Sequence, residues 1–404
     1  MAFETSTKLR LATFNVSMEA LNYVERSLGS APKVSGHELS QALQKNNQQI
    51  KNIAEIIQRI NPDIILLNEF DYIENKSIEN KSIENKSVDN KNVDSSHSNI
   101  HYFINNYLAH GQNGQSSVQY PYFYQGAVNT GVKINDDLNH DGKANQQPSD
   151  THGFGYFEGH FGMVLLSKYP INEKDIRTFQ HFKWRDMPNA LQPIDPKTKQ
   201  PWYSDKTWQT LRLSSKSHWD IPININGKTV HVLASHPTPP VFDGPEDRNG
   251  KRNHDEIRFW FDYINGQQGQ YIYDDLGNKG GLAPHQAFVI LGDQNASTVE
   301  GDAITSATSQ GIHALLSSDK IQDPMPTSSG GEYHTTDNKS AKYHTAYWGM
   351  RADYVLPSAL GFTIKNSGVF WPRKNETTYR LIENRKASSD HRLVWVDVEL
   401  LNNL

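Results

Sequence analysis

Two apolar runs in this chain abut short oxygen and imidazole side chains. Residues 288–291 (Phe-Val-Ile-Leu) run into Gly292-Asp293-Gln294-Asn295, and Ser388-Ser389-Asp390-His391 precedes the run at 393–396 (Leu-Val-Trp-Val). Strand ends hold side chains rigidly, and carboxylate, amide and imidazole together can bind a divalent cation, hold a phosphate and activate a water. The pairing points to metal-assisted hydrolysis of a phosphoester. Four more polar groups sit at the edges of apolar runs: Asn15 after 9–14, Glu69 after 64–67, His236 after 229–234, and Asp353 in Arg351-Ala352-Asp353-Tyr354-Val355. Singly, each has a bland explanation, because Asp-Xaa-Asn is commonly a turn and a lone histidine commonly packs in a core. Their joint placement at strand ends carries the argument.

The elements that must position these groups follow from the hydrophobic pattern. Residues 9–16 alternate and are rich in strand formers. Ile50, Ile53, Ile57 and Ile60 have the spacing of an amphipathic helix over 46–60, stopped by Asn61-Pro62-Asp63, and a buried strand follows at 64–67. Residues 163–170 form a strand closed by Pro170. Residues 221–225, Asn226-Gly227 and 229–234 predict a hairpin. A helix is expected at about 101–108 and another at 255–264, with strands at 288–291, 354–356 and 393–400. Strands separated by helices and long loops indicate one α/β domain over residues 1–404. Residues 72–91 repeat in fives (Ser-Ile-Glu-Asn-Lys and variants), a period of neither helix nor strand, so 72–98 reads as a low-complexity loop insertion. Residues 110–160 and 180–220 read as further insertions.

Composition narrows the classes. The 404 residues are 36% hydrophobic, ample for a large core, and no apolar run is long enough to span a membrane. No cysteine is present, which excludes disulfides, thiolate nucleophiles and cysteine-bound zinc. Formal net charge is -5, with 40 Lys+Arg against 45 Asp+Glu, so no global positive field draws in a long polyanion. The first residues lack the apolar core of a signal peptide; removal of a leader beforehand is left open.

With these pieces assembled, the chain resembles the endonuclease/exonuclease/phosphatase superfamily, the group with the pancreatic-deoxyribonuclease fold. The matching segments are Thr13-Phe14-Asn15-Val16, Pro62 through Glu69, 162–171, Ala234-Ser235-His236, Leu291 through Asn295, Arg351-Ala352-Asp353-Tyr354 and Ser389-Asp390-His391. The resemblance implies a four-layer α/β sandwich, two mixed β-sheets face to face with helices outside. It implies that Glu69, helped by Asn15, holds Mg2+ or Mn2+, with Ca2+ as an alternative, and that Asp390 supports this ion or binds a second. Asp293 would orient or deprotonate the attacking water. Asn295 and His236 would donate to charge developing on phosphorus, and His391, held by Asp353, would contact phosphate or transfer a proton. Two departures stand out. Some relatives carry an acid where this chain has Ser17, which argues against a richly acidic two-metal site, and Asn68 replaces the usual glutamine before the metal glutamate.

Secondary signals lie outside this set. Asp137, Asn139 and Asp141, followed by Gly142, have the order of a calcium loop, although position twelve is Pro148 rather than glutamate. A structural Ca2+ there would favour a periplasmic or secreted setting. The proline-rich loop after His236 carries Arg248, Arg252 and Asn253, which could clamp phosphate oxygens. Lys216 and His218 could line the same cleft, and Trp202, Tyr203 and Trp208 could stack on a base. The expected activity is divalent-metal-dependent hydrolysis of phosphodiesters or phosphomonoesters by direct water attack. A nonspecific, secreted endo- or exonuclease with nucleic acid as substrate is the alternative, and a noncatalytic binding protein on this fold is a third reading. No membrane insertion and no protein partner are inferred.

Overall fold

The computed structural model describes residues 6–25, 32–73, 98–305 and 310–401; most of the five-residue repeat lies outside them. The strands in chain order are β1 (Thr7–Met18), β2 (Ile64–Phe70), β3 (Tyr122–Tyr124), β4 (Met163–Ser167), β5 (Arg177–Thr178), β6 (His218–Ile225), β7 (Lys228–Ser235), β8 (Ala287–Asp293), β9 (Asp353–Pro357), β10 (Phe362–Val369) and β11 (Val394–Leu400). They form two sheets, β10-β11-β1-β2-β4-β3 and β5-β6-β7-β8-β9. Both are mixed: β1 runs parallel to β2 and β7 parallel to β8, while the other pairs are antiparallel.

Side-chain alternation explains the layering. In β8, Val289 and Leu291 join the core between the sheets, while Phe288 and Ile290 join a second core with Ile257, Trp260 and Tyr263 of the helix Arg248–Ile264. On the first sheet, Ile50, Ile53 and Ile57 of the helix Gln48–Ile60 are fully buried. Asn47 caps that helix by accepting from the amides of Gln49 and Ile50, and Asn61 ends it in the left-handed conformation at φ 52°. The result is the expected four-layer α/β sandwich.

The hairpin forms as expected, with Ile225 paired to Lys228 around Asn226 and Gly227. One boundary differs from the sequence reading. The second long helix begins at Arg248, not at residue 255, because Asp243 Oδ2 accepts from the Asn249 amide and stops the loop early. Arg252 and Asn253 are therefore buried helical residues. The edge strands β3, β5 and β10 were not expected; β10 has an exposed middle and a bulge between Ile364 and Asn366, which erases its alternation. The segments read as insertions pack into the body: Val118 and Tyr120 join the first core, and Ile134, Phe182, Trp184 and Leu213 the second.

Gly292 brings the β8 tip against β7. Its φ is +150°, and a Cβ there would lie 2.0 Å from the Ser235 carbonyl oxygen. Gly292→Ala is expected to lower the unfolding free energy by about 1–3 kcal/mol. Urea denaturation measures this directly; an unchanged midpoint and slope would mean the two strands are free to separate there.

Candidate active site

The register of β8 and β9 places Asp293 directly opposite Asp353. Both are buried, and like charges in that position repel. His391, at the start of the return to β11, lies between them. Its Nδ1 is 2.9 Å from Asp353 Oδ2 and its Nε2 is 3.5 Å from Asp293 Oδ2. Burial alone would lower the His391 pKa, but Asp353 and Asp293 outweigh it and raise it to about 10. Burial pushes Asp293 up to about 7, with His391 opposing and Asp353 adding to the rise. Asp353 is fixed in turn by Thr345, whose hydroxyl donates to its Oδ2 at 2.7 Å and accepts from its amide at 3.0 Å. One ligand atom from each of Asp293, Asp353 and His391 falls within 4.8 Å of the others. A metal there would need a free imidazole lone pair, yet both ring nitrogens face carboxylates. The arrangement is a charge relay, hydrogen-bonded between His391 and Asp353 and ion-paired at longer range between His391 and Asp293.

Amides join the two sheets at this point. Asn15 Nδ2 donates to Asp293 Oδ2 at 3.1 Å, and Asn68 Oδ1 accepts from the Asp293 amide at 3.2 Å. Asn68 thus fills a joining role with its shorter side chain. His236 Nε2 lies 3.4 Å from the same Asp293 oxygen, and burial holds its pKa well below the usual histidine range, assisted by Lys216 and His391. Asn295, at φ 51°, donates its own amide to Asp293 Oδ1 and its side-chain nitrogen to the Pro237 carbonyl.

On the other side of Asn15 the strand tips bend. Ser17 and Glu69 both have positive φ, at 47° and 55°, and the β1–β2 register shifts between Asn15 and Met18. The Ser17 hydroxyl donates to Asp390 Oδ1, and the Ser389 hydroxyl donates to the Asn15 carbonyl at 2.6 Å. Glu69 Oε2 is buried without a hydrogen-bond partner. Burial raises the Glu69 pKa, Arg385 opposes the rise, and Asp390 and Glu19 add to it. At Asp390 burial acts upward too, but His391 and Arg385 outweigh it and leave the group below its ordinary value. An orphaned carboxylate oxygen with a second carboxylate, Asp390, close enough to act on it fits a hard divalent cation. Glu69, Asp390 and Asn15 are the residues that would hold it.

This side is richer in acids than the Ser17 departure suggested. Glu19 and Asp71 are fully buried nearby; burial, then Glu19, pushes Asp71 well above the carboxylate range. Glu19 accepts from the Leu21 amide, lies 3.1 Å from His160 Nε2 and meets Arg385. The sequence reading missed Glu19, Asp71, Arg385 and Thr345. Glu19 lies only four residues after Asn15, a weak signal; Arg385 sits in a polar turn with none.

The substrate-loop residues divide. Lys216 is buried, and burial lowers its pKa against the pull of Glu256, Glu69 and Asp293. The others are structural, a correction to their expected role. Arg252 donates to the Leu213, Arg212 and His152 carbonyls, and Asn253 to those of Thr238 and Gln294. His218 is held between Ser214 Oγ and the Glu256 carbonyl, and Arg248 pairs with Glu246 and stacks over Trp202. Trp202, Tyr203 and Trp208 pack in or against the second core. Asp137, Asn139 and Asp141 accept from the loop's own amides, and Asp150 accepts from those of Leu138 and Gln146. These bonds describe an Asx-rich turn, and the calcium expectation rests on residue order alone.

The sequence profile of the Endonuclease/Exonuclease/phosphatase family matches residues 12–391. No curated protein sequence is significantly similar to the chain. Among solved structures, an endonuclease/exonuclease/phosphatase from Beutenbergia cavernae DSM 12333 is 16% identical at a TM-score of 0.48, covering 97% of this chain and 72% of that one. The human Nocturnin catalytic domain with bound sulfate is 12% identical at 0.42, covering 98% and 97%. A Staphylococcus aureus beta toxin double mutant with bound magnesium ions is 14% identical at 0.42, covering 98% and 100%. All three likenesses are distant. The profile, in contrast, runs from β1 to the relay histidine, and by that match the chain belongs to the endonuclease/exonuclease/phosphatase family.

Proposed function

We propose that this protein is a divalent-metal-dependent phosphoesterase that hydrolyses its substrate by direct attack of water at phosphorus. The observation that carries the reading is the buried Asp353–His391–Asp293 relay, on which Asn15 and His236 also converge. Asp293 accepts the proton of the attacking water. Asn15 and the Asn295 amide keep its carboxylate aimed. His391, held protonated by Asp353, presents its Nε2 proton to Asp293 or a phosphate oxygen. Lys216 and His236 face charge that develops on the nonbridging oxygens. A cation held by Glu69, Asp390 and Asn15 would neutralise phosphate charge and stabilise the leaving oxygen.

A second reading, a nucleotide or nucleic-acid substrate, is favoured by one observation. Trp348 is 52% exposed and packs edge-on against His391 at 4.9 Å, and the adjacent Tyr347 is 50% exposed. Exposed aromatic rings beside the relay suit a base, because base–aromatic stacking contributes about 1–3 kcal/mol.

Hydrolysis of bis-p-nitrophenyl phosphate should vanish in EDTA and return with Mg2+ or Mn2+. Asp293→Asn and His391→Ala should each lower kcat by between about 100- and 10,000-fold while staying folded. Activity that survives complete metal removal, or near-normal turnover in either variant, would contradict the mechanism.

The pH profile has a definite sign. Asp293 must be ionised to accept a proton, and burial raises its pKa to about 7, so kcat/KM should rise with pH toward neutrality. A bound cation would move this limb lower. His391 must stay protonated, and with its pKa raised to about 10 the alkaline loss lies well above neutrality. Asp353→Asn removes a main cause of that rise and should draw the alkaline limb toward neutral pH; an unmoved limb would separate Asp353 from His391 function.

Trp348→Ala should raise KM for a nucleoside 5'-p-nitrophenyl phosphate by about 5- to 100-fold while leaving KM for bis-p-nitrophenyl phosphate within a few-fold. Equal effects on both substrates would remove the support for base stacking.

A further inference from the structure

Arg385 lies in the turn before Ser388-Ser389-Asp390-His391. Its Nη2 is 3.2 Å from Glu19 Oε1 and 3.6 Å from Glu69 Oε2, and its Nη1 is 3.4 Å from Asp390 Oδ2. One guanidinium therefore meets three carboxylates. Two of them, Glu69 and Asp390, are the carboxylates that would hold the divalent ion.

The other arginines of this stretch are bound differently. Arg380 Nη2 makes two contacts of 2.7 Å with the Glu55 carboxylate. Arg392 is buried and donates to backbone carbonyls at 2.8, 2.9 and 3.1 Å. Charge-assisted arginine pairs usually close to about 2.7–2.9 Å and are often bidentate. All three Arg385 contacts are longer, each goes to a different carboxylate, and its side chain is 41% exposed. The Leu21 amide and His160 hold one oxygen of Glu19, Oε2, and Arg385 meets the other, Oε1. Glu69 Oε2 has no hydrogen-bond partner even with the guanidinium 3.6 Å away. The carboxylates thus surround a planar cation that hydrogen-bonds Glu19, lies farther from Glu69 and Asp390, and is partly exposed to solvent. A compact divalent ion with ligands at about 2.0–2.6 Å would draw the same oxygens closer.

Resting on the metal reading above, we propose that Arg385 is a tethered counter-cation: its guanidinium holds Glu19, Glu69 and Asp390 together in the metal-free chain and gives way when a divalent ion enters. The carboxylates are then neither left to repel one another nor closed to metal. Arginine and metal compete, so removing the arginine must strengthen metal binding and weaken the metal-free fold. An arginine that only braced the site would have the opposite effect on metal affinity.

The test is Mn2+ titration calorimetry on the full chain, paired with melting in EDTA, for wild type, Arg385→Ala, Arg385→Gln, Arg385→Lys and Glu69→Gln. The neutral Arg385 variants should bind Mn2+ more tightly, on the order of tenfold, for loss of one positive charge beside the ion. They should also melt lower than wild type in EDTA and regain more on adding Mn2+. Arg385→Lys keeps the charge and should stay within a few-fold of wild type, and it and Arg385→Gln carry the test if the alanine variant fails to fold. Unchanged or weaker Mn2+ affinity in the neutral variants overturns the counter-cation while leaving the metal reading standing. Absence of Mn2+ binding in every protein, or binding unaffected by Glu69→Gln, overturns the metal reading and this proposal with it.

Discussion

The buried meeting of Asp293 and Asp353 across one pair of strands is the constraint around which the rest is arranged. Two carboxylates about 5 Å apart at an effective dielectric of about 20 repel by roughly 3 kcal/mol, before the cost of burying either. A cation delivered between them relieves that repulsion. His391 comes from the segment that leads into β11 of the other sheet, and it faces both carboxylates. The turn around Thr345 and Tyr347 exists in the same context: Thr345 holds Asp353, the Tyr347 amide donates to the Asp390 carbonyl, and Ala346 bridges to His391. The resulting chain of groups alternates carboxylate, imidazole and carboxylate, so that each buried charge faces one of opposite sign.

A second constraint is backbone shape. Ser17, Glu69 and Asn295 all take positive φ at strand ends, where each such residue costs on the order of 1–3 kcal/mol. Those bends turn the side chains of two sheets toward one point. They persist because bonds between distant parts of the chain determine them: Ser389 to the Asn15 carbonyl, Asn68 to the Asp293 amide, and Asn295 to the Pro237 carbonyl. The joining groups are neutral amides and hydroxyls, which can be buried between sheets without adding charge to an already charged site.

Residues of one chemical type serve different ends according to where the fold puts them. Arg252 and Arg392 are buried ties to backbone carbonyls, Arg380 is a salt-bridge partner of the helix Gln48–Ile60, and Arg385 faces the carboxylate cluster. His218 is a core residue, whereas His236 and His391 share one carboxylate oxygen. Charge and residue type in a loop do not distinguish these cases, because what decides is whether backbone carbonyls lie close enough to take up the donors.

The sequence by itself determined the strands that carry Asn15, Glu69, His236 and Asp293, because their apolar alternation and polar ends are local properties of short segments. It also determined the hairpin at Asn226-Gly227 and the helix ending before Pro62, where turn and breaker residues act on their immediate neighbours. The core of the candidate site was legible for the same reason: its members end buried strands. What only the tertiary structure decided depends on residues far apart in the chain. The opposition of Asp293 to Asp353 follows from strand register, the entry of Glu19 from a bend at Ser17, and the approach of Arg385 from the course of a polar turn with no periodicity. The early start of the helix at Arg248, and with it the burial of Arg252 and Asn253, came from a capping contact and packing against the second sheet. Local propensity can place a side chain at the tip of a strand, but only packing of two sheets decides which tips meet and which charges must share one space.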